Sequence, residues 1–215
     1  MTTAVEALWR VSRMLSRGGG QRKSLPPLLL FTDPTRTLEP ERALAMLPRG
    51  AGIVYRAFGA ANALAVGLRL ARLARSRGIK FFVGADVSLA IALRADGIHL
   101  PERSLGRPGA NRALRRRFMT TAAAHSLPAL RMARQSRVDA VVVSPVFPSS
   151  SPSAGRAMGT LRFAALARVA RLPVYALGGI NPMSARRLLL SGAVGLAAVE
   201  ALNSRPVKPA DQIKA

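Results

Sequence analysis

GIVYR (52–56), ANALAVGLRLARLARS (61–76) and KFFVG (80–84) decide the fold class. The outer two are short apolar runs carrying Ile, Val, Tyr and Phe, residues that suit a buried, pleated strand. The middle segment is too long for a strand and repeats its apolar residues at helical intervals, and Gly78 stands just past its end. Two strands joined by such a helix pair in parallel, because a parallel return needs a crossover of a dozen or more residues. The alternation continues in both directions. LLLFTD (28–33) and PERALAML (40–47) come before it. After it come VSLAIALR (87–94), DGIHL (96–100), ANRALRRR (110–117), FMTTAAA (118–124), SLPALRMARQS (126–136), DAVVVSPV (139–146), TLRFAALARVA (160–170), PVYALGG (173–179), PMSARRLLLSG (182–192) and VGLAAV (194–199). Pro40, Pro128 and Pro182 fall near helix starts, where a missing N–H costs little. Eight strands joined by seven crossovers predict an α/β protein, a single-domain (β/α)8 TIM barrel. An open doubly wound sheet is the competing fold. It usually carries a glycine-rich loop after its first strand, whereas here that strand runs into FTDPTRT (31–37) with no GxGxxG.

The chain has 215 residues, 33 Lys and Arg against 10 Asp and Glu, and a formal charge of +23. It has no cysteine, which excludes disulfides, thiolate metal sites and a cysteine nucleophile, and its two histidines leave little for a metal cluster. No apolar run approaches the roughly 20 residues of a membrane span, and a cytoplasmic enzyme or binding protein is expected. The charge invites a nucleic-acid partner, because clustered cations release counterions from phosphates. Four of the basic residues are Lys and the rest Arg, spread through helical segments such as RLARLARSR (69–77). Aromatic residues are only 5%, too few for a stacking platform, so nucleic acid is not the expected partner.

Residues 1–24 form a basic amphipathic extension, 25–203 the barrel and 204–215 a tail. In TAVEALWRVSRMLSR (3–17), Val5, Leu8, Trp9, Met14 and Leu15 are placed roughly on one stripe. A helix capping the bottom of the barrel, or an overlong start, is preferred to a targeting or membrane-surface segment.

Function in such a barrel collects where the strands end. That position nominates Asp33, Arg56, Gly84 to Asp86, His99, Ala123 to His125, Ser144 to Gly159, Gly178 with Gly179, and Val199 with Glu200. ALGGIN (176–181) carries the strongest physical signal. Its two glycines let backbone N–H groups approach an anion in the loop where barrels often bind phosphate. The alternative is a tight turn with no ligand. Glu200 opposes a phosphate unless it points outward or is countered by Arg.

ADGIHL (95–100), AHSL (124–127), SPVFPSSSP (144–152), ALGGI (176–180) and GAVGLAAVEAL (192–202), in this order and spacing, resemble the thiamin phosphate synthase/TenI family. The resemblance runs from about Leu28 to Leu202 and implies a (β/α)8 barrel. It implies one of two activities. The synthase joins a hydroxymethylpyrimidine pyrophosphate to a thiazole phosphate using Mg²⁺. The TenI-like tautomerase isomerises a thiazole phosphate carboxylate without metal. Synthase residues carry over poorly. The second-strand motif reads Val54-Tyr55-Arg56-Ala57-Phe58, keeping the Arg and losing the Lys that would neutralise pyrophosphate. Gly84-Ala85 stand where the family has Asn-Asp, with Asp86 one position on, and Pro101-Glu102-Arg103-Ser104 lacks the expected Asp. Ser149-Ser150-Ser151-Pro152 keeps hydroxyls and drops a Lys.

His125 matches the histidine that the tautomerases carry, for which proton transfer suits a neutral imidazole. A histidine that only hydrogen-bonds the rim is the plainer alternative. The expected site is therefore His125 as the catalytic residue, with Arg56, Ser149, Ser151, Gly159, Gly178, Gly179, Val199 and Glu200 around a phosphorylated ligand. No metal or cofactor is expected, and Mg²⁺ enters only for the synthase, with Asp86 and Glu102 as substitute ligands. His99 is expected as a packed rim residue, and Arg56 as an anion clamp or a partner of Asp33 or Glu102. The resemblance implies a dimer or higher oligomer, and a homodimer is the expected state. A degenerate barrel that binds a small phosphorylated thiazole or pyrimidine without turnover is the third possibility.

Overall fold

The computed structural model describes residues 3–18, 25–34, 37, 39–106, 114, 116–149 and 155–199. Eight strands close into a parallel barrel in sequence order: β1 (Leu28–Phe31), β2 (Gly52–Tyr55), β3 (Lys80–Gly84), β4 (Gly97–Leu100), β5 (Met119–Ala123), β6 (Ala140–Val143), β7 (Val174–Ala176) and β8 (Gly195–Ala198). Leu30 pairs with Ala198 across the closing seam. The helices are α1 (Ala4–Gly18), α2 (Pro40–Ala45), α3 (Ala63–Arg77), α4 (Val87–Ala92), α5 (Leu127–Gln135), α6 (Gly159–Ala170) and α7 (Pro182–Arg186), with a 3-10 turn at Glu102–Ser104. The barrel predicted from the alternation is the observed one. The expected helix at 182–192 is shorter, continuing past Arg186 as turns, and the 110–117 segment is described only at Leu114, Arg116 and Arg117, all helical.

The strand pleat splits the core in two. Leu29, Phe31, Val54, Phe82, Val142, Tyr175 and Ala197 fill the lumen, while their neighbours Leu30, Ile53, Val83, Val141 and Leu196 face the helices. Aromatic rings in the lumen need small neighbours. Phe82 pairs with Gly97 and Tyr175 with Gly195. A Cβ on Gly97 would collide with the Phe82 ring and lie 2.7 Å from the Met119 carbonyl. Gly97→Ala is therefore expected to cost about 1–3 kcal/mol as overpacking, read as a lowered denaturant midpoint with unchanged slope.

Helix α1 lies on the outer wall over the β8–β1 seam and against α7. Its buried face is Val5, Leu8, Val11, Ser12 and Leu15, with the Ser12 hydroxyl donating to the Trp9 carbonyl at 2.9 Å. This corrects the sequence stripe, because Met14 is exposed and Val11 takes its place. Nine positions at about 100° each turn Met14 to the side opposite Val5. The helix covers the barrel's side, and Trp9 reaches Gly50 near its bottom. No described helix is long and apolar enough to cross a membrane.

Candidate functional site

Arg56 follows β2 two residues after the lumen-facing Val54, so the pleat places its side chain over the lumen and the Phe31 ring. Its Nε donates to the Thr32 carbonyl at 2.6 Å, its backbone N–H donates to the Thr32 hydroxyl at 3.0 Å, and Nη2 lies 3.4 Å from Asp33 Oδ2. Of the two carboxylates offered by the sequence, Asp33 is the partner. Glu102 does something else: its carboxylate accepts the backbone N–H of His125 at 2.8 Å. The guanidinium carbon of Arg56 sits 5.5 Å above the Phe31 ring and 5.2 Å from the Phe58 ring, within cation–π range of both.

His125 follows β5 and precedes Ser126, the N-cap of α5, whose hydroxyl accepts the Ala129 N–H at 3.3 Å. The short β5–α5 connection and the Glu102 bond fix the histidine's backbone, while its side chain stays accessible. Ser144, at the end of β6, donates its backbone N–H to His125 Nδ1 at 3.3 Å and places its hydroxyl 3.4 Å from the same nitrogen. Ser144 thus offers Nδ1 both a donor and an acceptor, so either neutral tautomer has a partner. This role of Ser144 was not singled out in the sequence beyond its position at a strand end.

His99 is not on the rim. It lies in the lumen below the mouth, 9% exposed, its ring edge-on to Phe31 at 4.9 Å and its Nδ1 3.0 Å from the Thr121 hydroxyl. The alternation explains this, since Gly97 and His99 share the inward face of β4. Burial above all, with the Arg56 charge and then His125 adding to it, lowers the His99 pKa from 6.5 to about 3. The ring is neutral at physiological pH.

Gly178 (φ 94) and Gly179 (φ 62) follow β7 in left-handed conformations. The loop after β6 lies directly on them: Val146 and Phe147 donate their N–H groups to the Leu177 and Gly178 carbonyls at 2.9 and 3.0 Å. A Cβ on Gly178 would stand 2.7 Å from Pro145 Cα, and one on Gly179 would collide with the Pro148 carbonyl. Close packing of the two loops therefore accounts for both glycines independently of any anion. Gly159 (φ 75) opens α6 and donates to the Val146 carbonyl at 2.9 Å, which ties the same loop down from the other side. Ser149 is half-buried on that loop, and Val199 directly follows β8. Ser151 and Glu200 lie outside the described residues.

The described residues do not fit Mg²⁺, which prefers octahedral oxygen ligands including carboxylates. Asp86 caps α4 by accepting the Leu89 N–H at 2.9 Å, Glu102 holds His125, and Asp33 faces Arg56. Among the described residues no three His, Asp or Glu side chains gather where an ion could sit. Calorimetry is expected to show no micromolar Mg²⁺ binding to the free protein. Binding that disappears in Asp86→Asn, which keeps a capping side chain, would overturn this.

The fold defines the class: a closed (β/α)8 barrel whose accessible candidate side chains, Arg56 and His125, follow β2 and β5 at the carboxyl end, where such barrels place their active sites. The family pattern described as thiamine monophosphate synthase (TMP-TENI) matches residues 28–202, and the chain belongs to that family. It is 32% identical over 182 residues to the thiamine biosynthesis bifunctional protein ThiED of Geobacter sulfurreducens, covering 83% of this chain and 37% of that one. It is 28% identical over 187 residues to the thiamine-phosphate synthase of Roseiflexus, covering 83% and 79%. The chain spans 59% of the putative thiamine-phosphate synthase 2 of Aquifex aeolicus, at 32% identity over 111 residues and 52% of this chain. Among solved structures, a thiamine phosphate pyrophosphorylase from Pyrococcus furiosus superimposes with a TM-score of 0.68 at 25% identity, covering 82% of this chain and 87% of that one.

Proposed function

We propose that this protein acts in thiamin metabolism as a TenI-like barrel that binds a phosphorylated thiazole and moves a proton on it through His125. The observation that carries the proposal is the His125 setting. The imidazole is accessible at the mouth, its backbone is held by Glu102, and Ser144 serves Nδ1 in either tautomer. With Nδ1–H directed to the Ser144 hydroxyl, Nε2 is free to take a proton from a ligand carbon and return it to another, without net change in the protein. Arg56 supplies positive charge for the ligand's phosphate or carboxylate, and the β6 and β7 loops, with Ser149, Gly159, Gly178 and Gly179, form the opposite wall. Val199, with Ser151 and Glu200 from beyond the described residues, completes the proposed ligand shell.

The test is isomerisation of thiazole phosphate carboxylate followed by NMR in the presence of EDTA. Interconversion of the two tautomers at a rate unchanged by added Mg²⁺ is expected. No interconversion by wild type overturns the proposal. The second activity, synthase coupling of a pyrimidine pyrophosphate to thiazole phosphate, is favoured by the names of the relatives. Product formed only with both substrates and Mg²⁺ would establish it. Thiazole-phosphate binding without either reaction would leave a non-catalytic barrel.

A further inference from the structure

The loop after β2 holds a residue that its backbone disfavours. Ala57 to Ala60 form a turn closed by the Ala60 N–H on the Ala57 carbonyl at 3.0 Å, and both central residues, Phe58 (φ 48) and Gly59 (φ 78), have left-handed φ. That pattern belongs to type I′ turns, whose first central position takes Asn, Asp or Gly. A bulky aromatic there is an outlier, and such strain gathers at functional positions. Four other described non-glycine residues have positive φ: Arg94, Arg137 and Arg171 follow helix ends, and Ala85 is small. Nor does burial explain Phe58, which is 70% exposed.

Its location is informative. Phe31 faces the lumen, Arg56 lies over Phe31, and Phe58 lies against Arg56. The three form a column rising out of the barrel, with Phe58 at the top beside the mouth. One side of its ring is occupied by the guanidinium, and the remainder is open to solvent. Arg56 itself is anchored by Thr32 and Asp33 and needs no aromatic partner to hold its position.

We infer that Phe58 is a specificity residue whose open ring surface stacks on the planar aromatic ring of the ligand while Arg56 beside it attracts the ligand's anionic group. The ligand class is an aromatic or heteroaromatic phosphate ester. The inference deepens the proposed function and rests on it for the thiazole, although ring recognition is testable apart from that activity. An aromatic pair contributes about 0.5–1.5 kcal/mol, equivalent to roughly three- to tenfold in affinity.

The experiment is calorimetric titration with phenyl phosphate and with methyl phosphate, which share the charge and differ in the ring. Wild type is expected to favour phenyl phosphate by about three- to tenfold. Phe58→Ala should lose that preference with methyl phosphate affinity unchanged, and Phe58→Trp should keep it. Phe58→Asn, whose side chain suits a left-handed position, should lose the preference while melting no lower than wild type. No ring preference in wild type, including no binding of either ester, overturns the inference, as does a preference that survives in Phe58→Ala or an equal loss for both esters. Thiazole isomerisation by wild type decides the proposed function separately, so one can fail while the other stands.

Discussion

Replacing His125 with Ala is expected to lower kcat for the proposed thiazole isomerisation by about 10²–10⁴-fold, the usual contribution of a positioned acid–base group. Affinity for thiazole phosphate should change little, because the role proposed for the imidazole is on the moving proton. Arg56→Ala should show the reverse pattern, with raised KM and a kcat closer to wild type, if its charge binds ground and transition states alike. Ser144→Ala separates positioning from chemistry. It keeps the backbone N–H that donates to Nδ1 and removes the hydroxyl 3.4 Å away. It should therefore favour the tautomer with the proton on Nε2 and lower kcat without loss of binding. Steady-state kinetics of the three variants beside wild type make the comparison. Unchanged turnover in the His125 variant ends the assignment of that residue.

Acidification should destabilise the fold through His99. The pKa is 6.5 for the free side chain and about 3 in the folded protein, so between these values the unfolded chain carries a proton that the native one lacks. Stability is therefore fully present above about pH 6.5 and is lost as pH falls toward 3. Between pH 7.5 and 5.0 the loss from this residue approaches about 2 kcal/mol, one and a half pKa units at about 1.36 kcal/mol each. His99→Gln cannot titrate and retains an amide within reach of Thr121. Denaturant unfolding at the two pH values should show a smaller fall in the variant than in wild type by about that amount. Equal falls would show that His99 is not held neutral in the native barrel.

Parallel pairing, the number of strands and the positions of the loops were legible in the chain because they depend on local periods. GIVYR, KFFVG and DAVVVSPV are continuous apolar runs, as strands buried on both faces must be. The intervening helical repeats and their Pro and Gly boundaries then leave few ways to connect them. Gly178 and Gly179 were legible too, as a flexible loop between strand and helix. Their reason was not, because it is the neighbouring loop after β6 that excludes a side chain. His125 was found by matching a short segment, yet nothing local connects it with Glu102 or with Ser144.

Tertiary structure alone decided these partners, along with the depth of each mouth residue. His99 and Arg56 both stand near strand ends in the sequence, but β4 carries its histidine inside the lumen whereas β2 ends just before its arginine. A displacement of this kind separates a buried neutral ring from an anchored cation at the opening. The need for Gly97 and Gly195 likewise arises from Phe82 and Tyr175 on adjacent strands, which meet them only in the observed register. The exposure of Met14, by contrast, follows from helical geometry alone, which sets it opposite Val5 whatever wall α1 packs on. A short-range pattern can specify elements and their order. Which side chains share a lumen, a charge or a hydrogen bond depends on strand stagger and barrel closure, and these bring together residues that no local period relates.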